Sequence, residues 1–376
     1  MHAGCNGVGT GDRLTVLKLI TPSRYSGAER IAVYLADGLQ RRGHRVVFGC
    51  KDNRQLLEAL NERNIEAHVL PISGKVNPIA PFMVAWFARW IDADIIHTHL
   101  TSASLWGAVA GKISGIPSIA SVHALNSKTC YVYSDMLAAC SEGVRQHLMG
   151  QGIHGERVRV MYNGLCSYPF NGMPSRDQMR AELDLPLDAP VIGEVAHLSS
   201  RKGQLYLLEA VALLLRHRPN LICLLVGEGE DHALLAERIE QLGIGHATRM
   251  LGYRPDARRV MNAMDLVVLP SVAIEGLGIA LIEAAFLGKP VVGSDAPGIR
   301  EALVDGETGL LAPPANAEAL ADAIETLLSD PQMARSMGEK GKRRAEDMFT
   351  LDHMVTRADE LYRELLKEQS YRCGTY

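Results

Sequence analysis

The chain has 376 residues, 47% hydrophobic and 22% charged, a globular composition that excludes the disordered and fibrous classes. Its length suits two domains of roughly 150 to 200 residues each better than one core. A net charge of −4 excludes wholesale nucleic-acid binding, and no run reaches the roughly 18 apolar residues that a spanning helix needs.

The charge is uneven. Residues 1–172 hold 17 Lys and Arg against 12 Asp and Glu, and the remainder holds 22 against 31. The first half therefore either meets something anionic or carries a solvated basic surface. Seven cysteines, an odd number without a CxxC pair, read as reduced thiols of a cytoplasmic protein.

The N-terminal MHAGCNGVGTGDR lacks a basic segment followed by an apolar one and does not read as a signal peptide. Within it GVGTGD (7–12) has the look of a dinucleotide fingerprint. It precedes the first strand instead of following it, so the phosphate-binding geometry is not expected. Short β-branched runs then alternate with helical ones. LTVLKLIT, RVVFGC, EAHVLPI, DIIHTH, PSIASVH and DMLAAC read as strands, with GAERIAVYLADGLQRRG and SASLWGAVAGKIS among the helices. This alternation predicts βαβ units and a mainly parallel, doubly covered sheet.

Ser26-Gly27-Ala28-Glu29-Arg30 follows the first strand and opens a helix, so backbone N–H groups there can face an anion or an acceptor, with Gly27 permitting close approach. PIAPFMVAWFARWI (78–91), short and interrupted by Arg89, reads as a buried or an interfacial helix, the buried reading being favoured. Asp92-Ala93-Asp94 resembles a metal-binding DxD. It opens the strand that carries His97, at the sheet end away from a ligand crevice, and is read as a structural cap.

Residues 165–188 turn irregular and read as the inter-domain connection. The alternation restarts with PVIGEVA, LICLLVG, TRMLG, DLVVLPS, PVVGS and GLLAPP as strands, separated by helices near 203–217, 231–242, 255–263, 279–287 and 316–329. The pattern predicts an α/β protein of two Rossmann-like, doubly wound domains, 1–172 and 173–350, followed by a final helical segment, 351–376. A ligand is expected in the cleft between the sheets, at the carboxyl ends of their strands.

Four loops of the second half sit at such strand ends. SSRKGQ (199–204) places Arg201 and Lys202 at a helix N-terminus, where cations oppose the dipole unless an anionic ligand is present. Each is read as a phosphate ligand, with solvated surface as the alternative. GEGED (227–231), opening with Gly227, and LGYRPD (251–256) lie where a nucleoside would be cradled. Tyr253 or Arg254 is placed to contact the base, although turn chemistry alone accounts for the glycines. In EGLGIALIE (275–283), Glu275 falls on a loop, Gly276 and Gly278 free successive N–H groups to point at a phosphate, and Glu283 falls one turn into the helix. Carboxylates accepting from sugar hydroxyls explain both glutamates better than an exposed loop charge and dipole compensation do.

With these residues the chain resembles a retaining glycosyltransferase of family 4, with the GT-B fold. The resemblance is carried by the E-x7-E segment Glu275–Glu283 and by Ser200-Arg201-Lys202-Gly203. It is supported by Asp94-Ile-Ile-His-Thr-His99, Ser121-Val-His123, Asn163-Gly164 and DGETGLLAPP from 305. It implies that Glu275 holds donor-sugar hydroxyls, while the amides of Gly276, Leu277, Gly278 and Ile279 bind the sugar or diphosphate. It further implies that Glu283 binds ribose, Lys202 neutralises the leaving diphosphate, His123 approaches the transferred sugar, and Gly27 lies near the diphosphate and acceptor. The final helix would cross back onto the first domain.

Three positions depart from the family. His197 stands where an arginine is common, Cys166 replaces the aspartate of Asn-Gly-x-Asp, and a short segment follows His123. The implied reaction is front-face transfer of a sugar from a UDP- or GDP-sugar to a saccharide or lipid-linked acceptor hydroxyl. Cofactor and metal are not expected, because fixed positive groups do the ion's work. The implied setting is polysaccharide, lipopolysaccharide or glycolipid synthesis in the cytoplasm, with the basic first half able to meet the inner face of the membrane. The competing expectations are a GT-B sugar-nucleotide epimerase and a non-catalytic nucleotide-sugar-binding partner subunit.

Overall fold

A computed structural model describes residues 13–22, 27–72, 77–166, 173–273 and 275–373; GVGTGD at 7–12 and Ser26 lie outside the described residues. The chain divides into two compact units. The first is Met1–Ala139 with Leu148–Met161 and Met354–Tyr376, and the second is Cys140–His147 with Tyr162–His353. The boundary expected at 172 therefore falls at 161, and the last helix is shared between the units.

Chain order begins β1 (Thr15–Ile20), α1 (Gly27–Arg41), β2 (Arg45–Cys50), α2 (Arg54–Asn61), β3 (Glu66–Val69), α3 (Ala80–Trp90), β4 (Ile95–His99), α4 (Thr101–Ser114) and β5 (Ser118–Val122). β6 (Met136–Ala139), α5 (Glu142–Gly150) and β7 (Val158–Val160) follow. Among the described residues these strands form one parallel sheet in the order β3-β2-β1-β4-β5-β6-β7, with β1 paired to both β2 and β4 through Val16 to Val46 and Ile95. Helices on both faces explain why β4 and β5 are buried along their whole length. They also make the polar members of the central strands, Lys18, His97 and His99, conspicuous, since all three are fully buried.

Asp94 acts as the cap expected of it, its Oδ2 accepting from Thr15 N at 2.7 Å where β1 begins. α3 departs from expectation. Ala80, Pro81, Val84, Ala85, Phe87 and Ala88 are buried, but Phe82, Trp86 and Trp90 are 63%, 67% and 59% exposed. The favoured buried reading thus holds for one face only. The segment is apolar all round, and such a helix cannot hide every face against a single layer.

The second unit continues with α6 (Arg176–Glu182), β8 (Val191–Val195), α7 (Gln204–Leu214), β9 (Ile222–Val226), α8 (His232–Leu242), β10 (Thr248–Met250), α9 (Ala257–Ala263) and β11 (Leu266–Leu269). Then come α10 (Ile279–Phe286), β12 (Val291–Ser294), α11 (Pro297–Ala302), β13 (Leu310–Ala312), α12 (Ala317–Ser329) and α13 (Pro331–Met348), with α14 (Leu351–Cys373) last. Its parallel sheet, again among the described residues, runs β10-β9-β8-β11-β12-β13. Both sheets reverse strand order beside their first strand, the doubly wound arrangement expected from the alternation.

The segment read as irregular contains α6, started by a capping box in which Ser175 and Gln178 satisfy each other's backbone N–H. Its Arg180 is fully buried and donates to Ala189 O (2.7 Å), Ala263 O (3.0 Å) and Asp265 Oδ2 (2.6 Å), which anchors the segment to the starts of β8 and β11. Beside Cys166, Leu165 N donates to Phe349 O and Leu351 N to Leu165 O, both at 2.8 Å, so backbone bonds tie this segment to the turn between α13 and α14 without an aspartate. Cys140–His147 clusters with this unit because Glu301 of α11 accepts from Glu142 N (2.7 Å) and Gly143 N (2.8 Å). α14 packs within the first unit as expected of the closing helix, with Tyr362 OH 2.6 Å from His97 Nδ1 and Gln369 Nε2 donating to Gly115 O at 2.7 Å.

Candidate active site

β8 and β11 are sheet neighbours although β9 and β10 intervene in sequence, so the loops leaving their carboxyl ends stand where strand order reverses. After β8, Ser200–Lys202 make one turn of 3-10 helix that stops at Gly203, φ 78°. A Cβ on Gly203 would lie 2.0 Å from Pro270 O, so the glycine is what lets this loop reach the end of β11. Val272 N then donates to Arg201 O at 3.0 Å, joining the loops through the backbone.

That approach brings Lys202 Nζ to 2.6 Å from Glu275 Oε1, and Ser271 Oγ donates to the same oxygen at 2.6 Å. The sequence assigns Lys202 and Glu275 separate tasks, and the structure pairs them. The pair meets the dipole penalty anticipated for a lysine ahead of α7, because the carboxylate supplies the opposing charge. Ser271, the last polar residue before the loop, was missed; its spacing of four from Glu275 was the available signal.

Close to this pair lies Glu194 of β8, whose Oε1 accepts from Gln204 Nε2 at 3.2 Å. Burial pushes its carboxyl well above the usual range, the Lys202 charge opposing and the Glu275 charge adding. The unfolded chain releases this proton near 4.5, whereas the folded chain keeps it to higher pH. The contribution is therefore fully present in acid and is lost as pH rises through the folded value. Glu194→Gln removes the titration. Between acid and mildly alkaline pH, the urea midpoint of the unaltered chain is expected to fall relative to that of the variant. Midpoints that move in parallel would refute the burial argument.

The other predicted residues of the second unit lie on the loops that follow β8, β9, β10 and β11 and on α10. Arg201 is exposed. His197, at the position of the family's arginine, has Nε2 2.8 Å from Glu230 Oε2. The Gly227 N–H donates to Gly252 O at 2.9 Å, and a Cβ there would fall 1.9 Å from Ala196 O, so this glycine provides room between loops. Tyr253 is exposed, and Arg254 holds both oxygens of Asp256 at 2.8 Å.

Leu277 is buried under the loop, and a Cβ on Gly298 of α11 would be 2.3 Å from Glu275 O. Gly278 O accepts from Leu281 N (2.9 Å) and Ile282 N (3.2 Å), starting α10, so the amides of Gly276, Leu277, Gly278 and Ile279 stand at or ahead of its first turn. Glu283 is buried and accepts from Arg258 Nε at 2.9 Å. A carboxylate on a buried helical face demands a cation, and that demand was the overlooked pointer to Arg258.

The remaining two predicted residues belong to the first unit. His123 follows β5 with Nε2 3.1 Å from His99 Nδ1, the rings stacked at 5.4 Å. Gly27 opens α1, and a Cβ there would meet nothing within 4 Å among the described residues, so none of them requires glycine at this point. Among the described residues no group of three or more His, Cys, Asp or Glu is arranged to hold a metal ion. No described helix is long and apolar enough to cross a membrane.

Comparison with known proteins adds to this geometry. Residues 25–166 match the model described as Glycosyltransferase Family 4, and residues 175–344 match Glycosyl transferases group 1. The chain is 34% identical over 320 residues to the lipopolysaccharide core biosynthesis glycosyltransferase LpsE of Rhizobium meliloti, covering 84% of this chain and 89% of that one. It is 28% identical over 313 residues to alpha-maltose-1-phosphate synthase of Mycolicibacterium smegmatis, covering 73% and 79%. Among solved structures, HepE of Anabaena in complex with UDP-glucose superposes with a TM-score of 0.84 at 25% identity over 94% of this chain and all of that one (100%).

Proposed function

Because the chain belongs to glycosyltransferase family 4, we propose that this enzyme moves a sugar from a nucleoside diphosphate to an acceptor hydroxyl with retention of anomeric configuration. The observation that carries the reading is the Lys202–Glu275 pair, 2.6 Å apart at the reversal point of the second sheet. A front-face reaction suits these groups. The bond from the anomeric carbon to the leaving phosphate oxygen breaks as the acceptor oxygen bonds to the same face, and the acceptor proton passes to the departing phosphate. Lys202 and the amides ahead of α10 offset the charge that develops on that phosphate. Glu275, oriented by Ser271, accepts from sugar hydroxyls, and Glu283, held by Arg258, accepts from ribose.

A uridine donor is supported by the complexes of HepE with UDP and UDP-glucose. A cell-surface or lipid-linked saccharide acceptor is supported by the likeness to LpsE. A panel of UDP- and GDP-sugars read by thermal shift identifies the donor, since a true donor stabilises by mass action. A product assay with glycolipid acceptors then reads transfer. Stabilisation accompanied by an epimerised nucleotide sugar, and no transfer, would replace this reading with the epimerase.

The exposed face of α3 favours action at an anionic bilayer. Phe82, Trp86 and Trp90 recur every four residues, Trp86 and Trp90 stack at 6.2 Å, and residues 77–91 carry Arg89 and no acidic residue. Indole rings settle at the boundary between headgroups and acyl chains. Changing Trp86 and Trp90 to serine is expected to abolish co-sedimentation with anionic vesicles while leaving donor stabilisation unchanged. Unaltered sedimentation, or loss of a dimer in place of vesicle binding, would overturn this assignment.

A further inference from the structure

Side chains alternate between the two faces of a strand, so Glu194 of β8 shares a face with Ile192, which belongs to one aliphatic core with Leu207, Leu208, Cys223 and Leu225. In register Glu194 stands beside Leu225 of β9. The glutamate is fully buried in that layer. Its Oε1 accepts from Gln204 Nε2 at 3.2 Å, and its Oε2 has no hydrogen-bond partner among the described residues. The ammonium of the neighbouring turn is engaged elsewhere, Lys202 Nζ lying 2.6 Å from Glu275 Oε1. A carboxyl buried this far without a cation keeps its proton. Glu194 is thus a neutral acid, an acceptor at Oε1 that makes no claim on the charge of Lys202.

Gln204, itself buried, is the first residue of α7, and its Nε2 donates also to His197 O at 3.2 Å. One side-chain amide therefore ties β8 to both ends of the loop 197–203. Within the loop Lys202 N donates to Ser199 O at 2.9 Å, and Arg201 O accepts from Val272 N at 3.0 Å. Gly203, the cap residue of α7, has no side chain with which to bond the first turn. The seat of Lys202 hence depends on Gln204, and Gln204 depends on an acceptor set in an otherwise apolar layer.

We propose that Glu194 is a positioning residue for sugar transfer, fastening through Gln204 both ends of the loop that carries Lys202 while leaving that lysine's charge to the departing phosphate. This role rests on the reading of Lys202 as the phosphate ligand, and every group in it belongs to the second unit. The titratable groups that act on Glu194 are Lys202 of the turn, Glu275 of the loop after β11 and Cys223 of β9. Burial pushes the Glu194 acid up, the Lys202 charge opposing and the Glu275 charge adding, and burial keeps the Cys223 thiol protonated. Ionised, Glu194 would compete with Glu275 for the Lys202 ammonium. The clamp is therefore intact below the folded value of Glu194 and is lost as pH rises through it.

Two variants of the full chain test the assignment. Glu194→Gln keeps an uncharged side chain with an acceptor oxygen, whereas Glu194→Leu, close in volume, removes the acceptor. At mildly acidic pH kcat is expected to stay within about twofold for Glu194→Gln and to fall about tenfold for Glu194→Leu, the scale of one lost buried hydrogen bond. KM for the nucleotide sugar is expected to change little in either. Raising the pH is expected to lower kcat of the unaltered chain relative to Glu194→Gln, whose profile lacks the Glu194 step; a packing role would leave the two profiles parallel. Unchanged kcat in Glu194→Leu, equal losses in the two variants, or parallel pH profiles overturn the proposal. If Glu194→Leu does not fold, Gln204→Leu takes its place with the same expected loss, and normal kcat there overturns the proposal equally. Failure of the unaltered chain to transfer from any nucleotide sugar would overturn the functional reading and this role with it, whereas normal transfer by Glu194→Leu overturns only this inference.

Discussion

Lys202→Ala is expected to lower kcat roughly ten- to a hundredfold, the effect of removing charge-assisted hydrogen bonds worth about 1.5–3 kcal/mol. The lysine occupies one turn of 3-10 helix wedged between the ends of β8 and β11, and its ammonium lies 2.6 Å from Glu275. In the proposed reaction the charge that grows on the leaving phosphate draws on this ammonium, so the loss appears in the chemical step. Alanine also leaves Glu275 with Ser271 as its remaining partner among these contacts. Glu275→Ala makes the contrast: transfer is expected to fall further than nucleotide binding, since its carboxylate is assigned to the sugar. Initial rates and nucleotide-induced thermal shifts, measured side by side, check both. Near-normal transfer by Lys202→Ala would remove the lysine from the mechanism, and the opposite pattern for Glu275→Ala would exchange the roles of the two.

The second large effect is expected at Gly203, and it is structural. Its φ of 78° is left-handed, costing an alanine about 1–2 kcal/mol, and the added Cβ would stand 2.0 Å from the carbonyl oxygen of Pro270, forcing a shift of about 1–3 kcal/mol more. Gly203→Ala should therefore lose roughly 2–5 kcal/mol of stability and pull the Lys202 turn away from Glu275. Gly243 is the control. It has φ 67° with nothing within 4 Å of its would-be Cβ among the described residues, so Gly243→Ala bears the conformational cost alone. Equal midpoints for the two variants in urea would show that the contact with Pro270 is not what demands glycine.

Much of the fold was legible because parallel strands flanked by helices write themselves as short aliphatic runs between turn signals, as in DLVVLPS and PVVGS. α6 was read as irregular connection because Pro174, Ser175 and Asp177 outweighed its capping box, although Ser175 and Gln178 spelled one. α3 was misjudged in part because periodicity cannot tell a helix buried on all sides from one that leaves an aromatic stripe outside. At the site, the two glutamates and the lysine were visible as residues on loops, yet their mutual pairing depends on how far a left-handed Gly203 carries one loop over another. Arg258 and Glu194 were invisible as functional neighbours for a related reason: each is near the site through packing across the sheet, which no local pattern records. Lys18 left a clear trace, a lysine within LTVLKLI, and the lesson is that an amine inside a central parallel strand asks for partners on its neighbours, here His97 and His99 of β4.

The closing helix has a consequence for how the molecule is made. Tyr362, which completes the surroundings of His97, belongs to residues 354–373, and these leave the ribosome only after all of 162–353 has been synthesised. Until then the centre of the first sheet keeps a lysine and two histidines under an unfinished cover, available to water and to chaperones. Among the described residues the second unit has its six strands in one uninterrupted run, and its sheet can close beforehand. The half that is translated first is the half completed last.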